Sequence, residues 1–281
     1  ESVKDKPFFL YLPHFAVHLP QQGRADLTEK YQKKLAAKGG PAGPLNHKNP
    51  AYASMSEAMD QAIARVRAKL DELNLTGRTI VIFTSDNGGR VPTTSNVPLR
   101  LGKASAYEGG VRVPLIVSWP GVTKPGSVSD APVITMDLFP TIVEMAGLPA
   151  SAARTAIDGV SFAPVLRGGT RPARELFWHY PHHQHYQLGG AMPYGAIRSG
   201  DFKLVEFFND MHVELYNIRA DIGEKTDLAA SMKGKADELR TRLHAWRQEV
   251  GAQMPTPNPK HDPARPEFTP PPPKAAKKEQ G

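Results

Sequence analysis

An α/β layer of helices on a sheet, followed by a small α+β unit, is the fold class the sequence predicts, and three observations carry it. A helix-period apolar stripe over residues 55–73 leads directly into a β-branched apolar run, Thr79–Thr84. A second apolar run, Val113–Trp119, is followed by a helix-like segment, Thr135–Ala146. After about Arg171 the texture changes to two short strand-like runs around a turn, then a second helical stripe. Strand and helix in alternation imply helices packed on a parallel sheet. A hairpin closed by a helix implies a separate α+β arrangement.

Taken in order, Pro7–Leu12 is continuously apolar, rich in aromatics and bounded by Pro7 and Pro13, which reads as a short buried strand. His14–Pro20 follows as a loop. Residues 21–49 are polar and broken by glycine and proline, with room for one short helix around Glu29–Ala37. The clearest element comes next: Met55, Met59, Ile63, Val66, Leu70 and Leu73 fall on one helical face. Asn49-Pro50 ahead of them supplies an N-cap with proline at the first helical position, and Ser54-x-x-Glu57 a possible capping box. The methionines are read as core packing. Gly147 stops the Thr135–Ala146 helix. Phe202–Phe207 and His212–Tyr216 flank Asn209-Asp210, and Leu239, Leu243, Trp246 and Val250 form the second stripe. The expected organisation is 1–172 as α/β, 173–254 as α+β and 255–281 as a disordered tail. That tail carries nine prolines, which exclude both helix and ladder.

Composition removes whole classes of function. Of 281 residues, 40% are hydrophobic and 22% charged, enough to build a core. No apolar run approaches the ~18 residues of a membrane span. With no cysteine, disulfide scaffolds, thiolate metal sites and a cysteine nucleophile are excluded within the chain. The net charge of +7 helps attract anions, but no basic stripe with interleaved aromatics marks a nucleic-acid reader, so no nucleic-acid partner is expected. Glu1–Lys6 is charged and has neither the n-region nor the h-region of a signal peptide, and the apolar run starts almost at once. The chain therefore reads as one that begins in mid-domain.

Four features carry chemistry. Ser85-Asp86-Asn87-Gly88-Gly89 ends the Thr79–Thr84 strand, at the carboxyl edge where open α/β sheets bind ligands. Asp86 offers a charged oxygen and Asn87 a neutral one, a pair suited to Ca²⁺ or Mg²⁺ rather than zinc. Taken alone, Asp-Asn-Gly-Gly is also a good turn. Lys103 lies in the glycine-bounded stretch Leu99–Pro114 and could meet an anion as a point charge, although a solvated lysine is the usual case. His18 follows the first apolar run and could act as a general acid or anion ligand. His14 lies four residues away, but Pro13 and Pro20 argue against the helix that a metal-binding pair would need. His179, His182, His183 and His185 cluster around Pro181, which fits a substrate-contacting loop or merely an exposed one.

The order and wording of these pieces resemble the sulfatase family of the alkaline-phosphatase-like superfamily. The likeness runs through Pro7–Pro20, Thr79–Gly89, Pro98–Gly121, Met136–Leu148 and Ile157-Asp-Gly-Val-Ser161. Ile197-Arg-Ser-Gly-Asp-Phe-Lys-Leu204 and Glu214-Leu-Tyr-Asn217 are similar to that family's carboxy-terminal subdomain. The resemblance implies part of a mixed sheet flanked by helices and hydrolysis of sulfate esters. It implies Asp86 and Asn87 as calcium ligands, Lys103 on the sulfate and bridging oxygen, and His18 on the sulfate or the leaving alcohol. His179, His182, His183 and Arg198 would face a substrate, with sulfated carbohydrate as its class.

The departures are as informative. The family's formylglycine forms from Cys or Ser in a Cys/Ser-x-Pro-x-Arg motif, and no such motif occurs here. The family's paired amino-terminal aspartates and its second Lys and His are also missing. Gly102-Lys103-Ala104 stands where Gly-Lys-Gly is commoner. The expectation is the carboxy-terminal part of a Ca²⁺-dependent sulfatase, inactive alone, belonging to a periplasmic or secreted protein. Rivals are a two-zinc phosphatase or phosphodiesterase of the same superfamily, and a non-catalytic glycan-binding relative.

Overall fold

The computed structural model describes residues 2, 4–38, 47–91, 93–152, 155–183 and 192–260. The chain opens with two packed helices, α1 (Ala25–Ala37) and α2 (Pro50–Glu72). As the sequence predicts, Asn49 caps α2: its side chain accepts the Tyr52 N–H at 3.0 Å, with Pro50 behind it. The pair is pinned by Ser54 Oγ donating to the Arg24 carbonyl at 3.1 Å and by Lys30 on Glu57 at 2.8 Å. α1 starts at Ala25, a turn earlier than the glycine and proline pattern suggests, with Asp26 in its first turn and also paired to Arg24 at 2.7 Å.

Strands β1 (Val81–Thr84) and β2 (Leu115–Ser118) follow, separated by a long loop that holds the one-turn helix α3 (Glu108–Val111). They pair antiparallel, Val81 opposite Ser118 and Thr84 opposite Leu115, which corrects the expected parallel pairing. Parallel neighbours need a crossover, usually a helix, that returns the chain to its starting end. Here the connection folds on itself beside the strand ends and delivers β2 in the reverse direction. β2 begins after Pro114, whose missing N–H cannot join a ladder. The Pro7–Leu12 run is not a strand: among the described residues it has no ladder partner, and Phe9 and Tyr11 are 73% and 76% exposed. A ladder is a property of two segments, and an apolar run alone does not supply the second. Helix α4 (Leu138–Met145), preceded by a tight turn of helix at Thr135–Asp137, ends at Gly147 with φ +70°, as expected for a glycine stop, and the one-turn helix α5 (Ala163–Leu166) follows.

The best-packed part is an antiparallel sheet in the order β3 (Leu176–Tyr180), β4 (Tyr194–Ser199), β5 (Phe202–Phe207), β6 (Val213–Asn217), covered by α6 (Lys233–Glu249). Strand alternation gives it two buried faces. Ile197, Leu204 and Leu215 meet Leu239 and Leu243 of α6. Tyr194, Ala196, Val205 and Tyr216 meet Ala106 and Tyr107 of the loop ahead of α3. Phe177 stacks on Trp246 at 4.8 Å. The hairpin and closing helix are those the sequence predicts. Residues 255–260 are irregular, and the rest of the expected tail, 261–281, lies outside the described residues.

Two buried carboxylate clusters fasten this sheet. On the α6 side, fully buried Glu206 accepts Arg240 Nε at 2.6 Å and His244 Nε2 at 3.0 Å, and pairs with Arg247. Burial opposes its charge, but the three donors outweigh burial and hold its carboxyl below the ordinary 4.5. On the other face, Lys203 has no exposed surface, and its Nζ donates to Glu108 and Glu224, each at 3.0 Å. Arg112 adds a second cation to Glu108 at 2.7 Å. Burial pushes both carboxyls up. Lys203 and Arg112 more than offset this at Glu108, which ends below its usual range, whereas Glu224 ends above it.

Both clusters are testable by chemical denaturation. Glu206→Gln should lose about 2–3 kcal/mol of unfolding free energy at neutral pH. A carboxyl depressed in the folded state stabilises above its unfolded pKa, and this contribution disappears as the pH falls through the folded value. The variant should therefore show a shallower acid loss than the parent below pH 4.5. Lys203→Met should cost about 3–5 kcal/mol by stranding two carboxylates, and Glu108→Gln with Glu224→Gln in the same chain should restore part of it.

Candidate functional site

The loops after β1 and before β2 are locked backbone to backbone. The Gly88 N–H donates to the Gly110 carbonyl at 3.0 Å, and the Lys103 N–H to the Gly89 carbonyl at 3.1 Å. Glycine is required for this approach: a Cβ on Gly88 would lie 1.7 Å from the Gly109 carbonyl oxygen, and one on Gly102 2.1 Å from that of Gly89. Asn96 completes the lock. Its Oδ1 accepts the Gly89 N–H at 2.9 Å, while its Nδ2 donates to the carbonyls of Gly89 at 2.8 Å and Leu101 at 2.9 Å. Asp86 and Lys103, seventeen positions apart, thus sit on two segments held in one register. Asp86 is exposed, and Asn87 and Lys103 are half-buried.

The Lys103 loop is in turn fastened to the carboxy-terminal sheet. Arg100 lies 3.8 Å over the Tyr107 ring and donates to the Tyr216 hydroxyl at 2.7 Å and the Glu224 carbonyl at 3.0 Å. The hydroxyls of Tyr107 and Tyr216 both donate to Glu214, at 2.6 and 2.8 Å. Burial and the Glu214 carboxylate push both hydroxyls far above the ordinary tyrosine range, so they remain donors. Glu224 also accepts the Glu108 N–H at 2.7 Å, at the start of α3.

His18 lies on the exposed loop after Pro13. Its Nδ1 is 2.9 Å from the Leu19 carbonyl and its ring 5.5 Å from Phe15, and among the described residues no hydrogen bond ties it to Asp86 or Lys103. The expected substrate-side residues do not form one rim. His179 shares a sheet face with Ile197, its Nε2 lies 2.7 Å from the Gln253 carbonyl, and it packs on Phe208. Arg198 belongs to the opposite face, where Glu108 and Arg112 both influence its charge and burial lowers its pKa. His182 and His183 are exposed beyond β3, and His185 lies outside the described residues.

Asp86 and Asn87 bring two hard oxygens. Calcium takes about six to eight, and among the described residues no group of three or more His, Asp or Glu side chains could hold a metal. The pair therefore fits part of a hard-cation site. No helix of the described residues is long and apolar enough to cross a membrane. Asn96 and the Lys203 cluster escaped sequence reasoning. Asn96 lies in a plain polar stretch, and Lys203 sits in a strand pattern where a lysine ordinarily points to water.

Two family profiles overlap along the chain: Sulfatase over residues 1–148, and N-sulphoglucosamine sulphohydrolase, C-terminal, over residues 101–250. A sulfatase of Formosa agariphila is 38% identical over 269 residues, covering 87% of this chain and 47% of its own length. Human arylsulfatase A is 29% identical over 266 residues, covering 85% and 48%. The chain thus spans about half the length of the curated relatives it matches. Among solved structures, Ps i-CgsB superposes with a TM-score of 0.75 at 28% identity, covering 91% of this chain and 53% of that one. BT4656, solved in complex with its substrate D-glucosamine-2-N,6-O-disulfate, superposes with a TM-score of 0.61 at 27% identity, covering 81% and 47%. With a family profile matching more than half of its length, the chain belongs to the sulfatase family.

Proposed function

We propose that this chain supplies the metal-side and lysine-side groups of a sulfuric ester hydrolase whose nucleophile lies outside residues 1–281. The observation that carries the reading is the lock between Gly89 and Lys103, because it couples an oxygen-donor pair to a cation. In this reading Asp86 and Asn87 are two oxygen ligands of Ca²⁺, which when bound supplies Lewis-acid stabilisation of the sulfuryl oxygens. Lys103 offers its ammonium to the sulfate and to the bridging oxygen as negative charge builds there. His18 donates a proton to the departing alcohol, for which its exposed loop must close toward Lys103. Residues 1–172 form the catalytic part and 173–254 the supporting α+β unit.

Sulfated carbohydrate is the substrate class. The glycan-bound neighbours and the net positive charge support it. His182, His183 and Arg198 are the substrate-side candidates, while the contacts of His179 with Gln253 and Phe208 favour a supporting role. Such a substrate is extracellular polymer, so the whole protein works in the periplasm or outside the cell.

The test is turnover of an aryl sulfate and of sulfated oligosaccharides by the product of the complete reading frame. Activity should require divalent cation and disappear with chelator. Lys103→Ala should lower kcat by about 10²–10³-fold, and Asp86→Ala should weaken metal dependence. Residues 1–281 alone should show no turnover. Metal-dependent hydrolysis by that chain, free of contaminating enzyme, would place a nucleophile inside it and overturn the reading.

A further inference from the structure

Beside the Gly89 loop lies a recess of about 240 Å³, walled by Tyr31 of α1, Tyr52 of α2, His47, Asn49, Thr93 and Thr94. It shares a wall with the site above. Thr94 Cγ2 stands 2.5 Å from where a Gly89 Cβ would be, and Thr94 and Tyr52 line the recess together. Among the described residues the lining has a particular chemistry: two tyrosines, an imidazole, an amide and hydroxyls, with no carboxylate. Glu57, on α2 near Tyr31, is neutralised by Lys30 at 2.8 Å. Lys34 Nζ lies 5.8 Å from the Tyr31 ring and adds positive charge at the edge. Recesses that take a drug-sized ligand run to about 300–1,000 Å³, so this one suits a single ring rather than a whole oligosaccharide.

We infer that this recess is a sugar subsite, holding one ring of a sulfated oligosaccharide next to the residue whose sulfate reaches Lys103. The inference rests on the sulfatase reading for its second half only. A pyranose has an apolar C–H face and a rim of hydroxyls. Tyrosine rings cover the first, and Thr93, His47 and the tyrosine hydroxyls answer the second. Both tyrosines are half-buried and fixed on packed helices, so little side-chain freedom is lost on binding.

The experiment is calorimetric titration of residues 1–281 with oligosaccharides from carrageenan, chondroitin sulfate and heparan sulfate, each in sulfated and desulfated form. At least one should bind. Tyr31→Ala and Tyr52→Ala should each weaken it about fivefold or more in both forms, with Tyr52→Phe retaining most of the affinity. Lys103→Ala should weaken the sulfated form alone. The two tyrosines sit on different helices, and circular dichroism confirms that each variant is folded. No binding of any member at millimolar concentration, or tyrosine variants that bind like the parent, overturns the subsite. If the tyrosine variants bind weakly but neither desulfation nor Lys103→Ala matters, the subsite stands and the sulfatase reading of Lys103 fails. If the reverse holds, the subsite fails and that reading stands.

Discussion

A lysine with no surface in water governs how this molecule is assembled. Lys203 is the second residue of β5, and its buried charge can exist there only with partners at hydrogen-bond distance. Those partners come from remote places: Glu108 begins α3 in the loop before β2, and Glu224 follows the last strand of the sheet. Satisfying one ammonium therefore draws the Lys103-bearing loop onto the carboxy-terminal sheet. The aromatic contact of Tyr107 with Tyr216, and Arg100 over both rings, then fill the same interface. Because breaking a buried pair leaves uncompensated charge, the arrangement has few neighbouring alternatives, and the loop is held in one place.

From that anchor the order propagates by backbone contact rather than by side chains. Gly109 and Gly110, beside Glu108, provide carbonyls against which Gly88 can close, and Gly102 lets the chain pass beneath Gly89. Asn96 then joins the two loops with three bonds from one amide. A loop pair built this way gains rigidity without bulky side chains, which leaves Asp86 open to a cation and Lys103 to an anion.

The legible parts of this fold are those whose information is local. The α2 stripe, its Asn49-Pro50 start, the β5–β6 hairpin and the α6 stripe follow from periodicities of 3.6 and 2 and from turn residues. Strand direction was not legible, because Thr79–Thr84 and Val113–Trp119 look alike whether their ladder runs parallel or antiparallel. The Pro7–Leu12 run misled for the same reason: its composition describes a strand, but pairing is decided elsewhere. Around the candidate site, the short motifs holding Asp86, Asn87 and Lys103 stand out in the sequence, and the structure brings their two segments together. Lys203 was not legible, since its partner Glu108 lies 95 positions away. Asn96 was not, since its partners are backbone groups of Gly89 and Leu101, which no residue pattern announces. His179 and Arg198 looked like companions by residue type. Strand alternation puts them on opposite faces of the sheet.

The two central lysines illustrate how environment divides one side-chain chemistry between two tasks. Lys203 is matched by two carboxylates and Arg112 adds a further cation, so the cluster is neutral overall and exerts little field at a distance. Lys103 is half-buried in a glycine-rich loop, and its backbone, rather than its ammonium, makes the structural bond. A charge that is neutralised in place can hold a loop but cannot draw in a substrate. A charge whose position is fixed through the main chain keeps its ammonium available for an anion. Fixing Lys103 through Gly89 and Asn96 while anchoring the loop through Lys203 satisfies both needs at once, so the lysine that holds the loop is not the one that the loop presents.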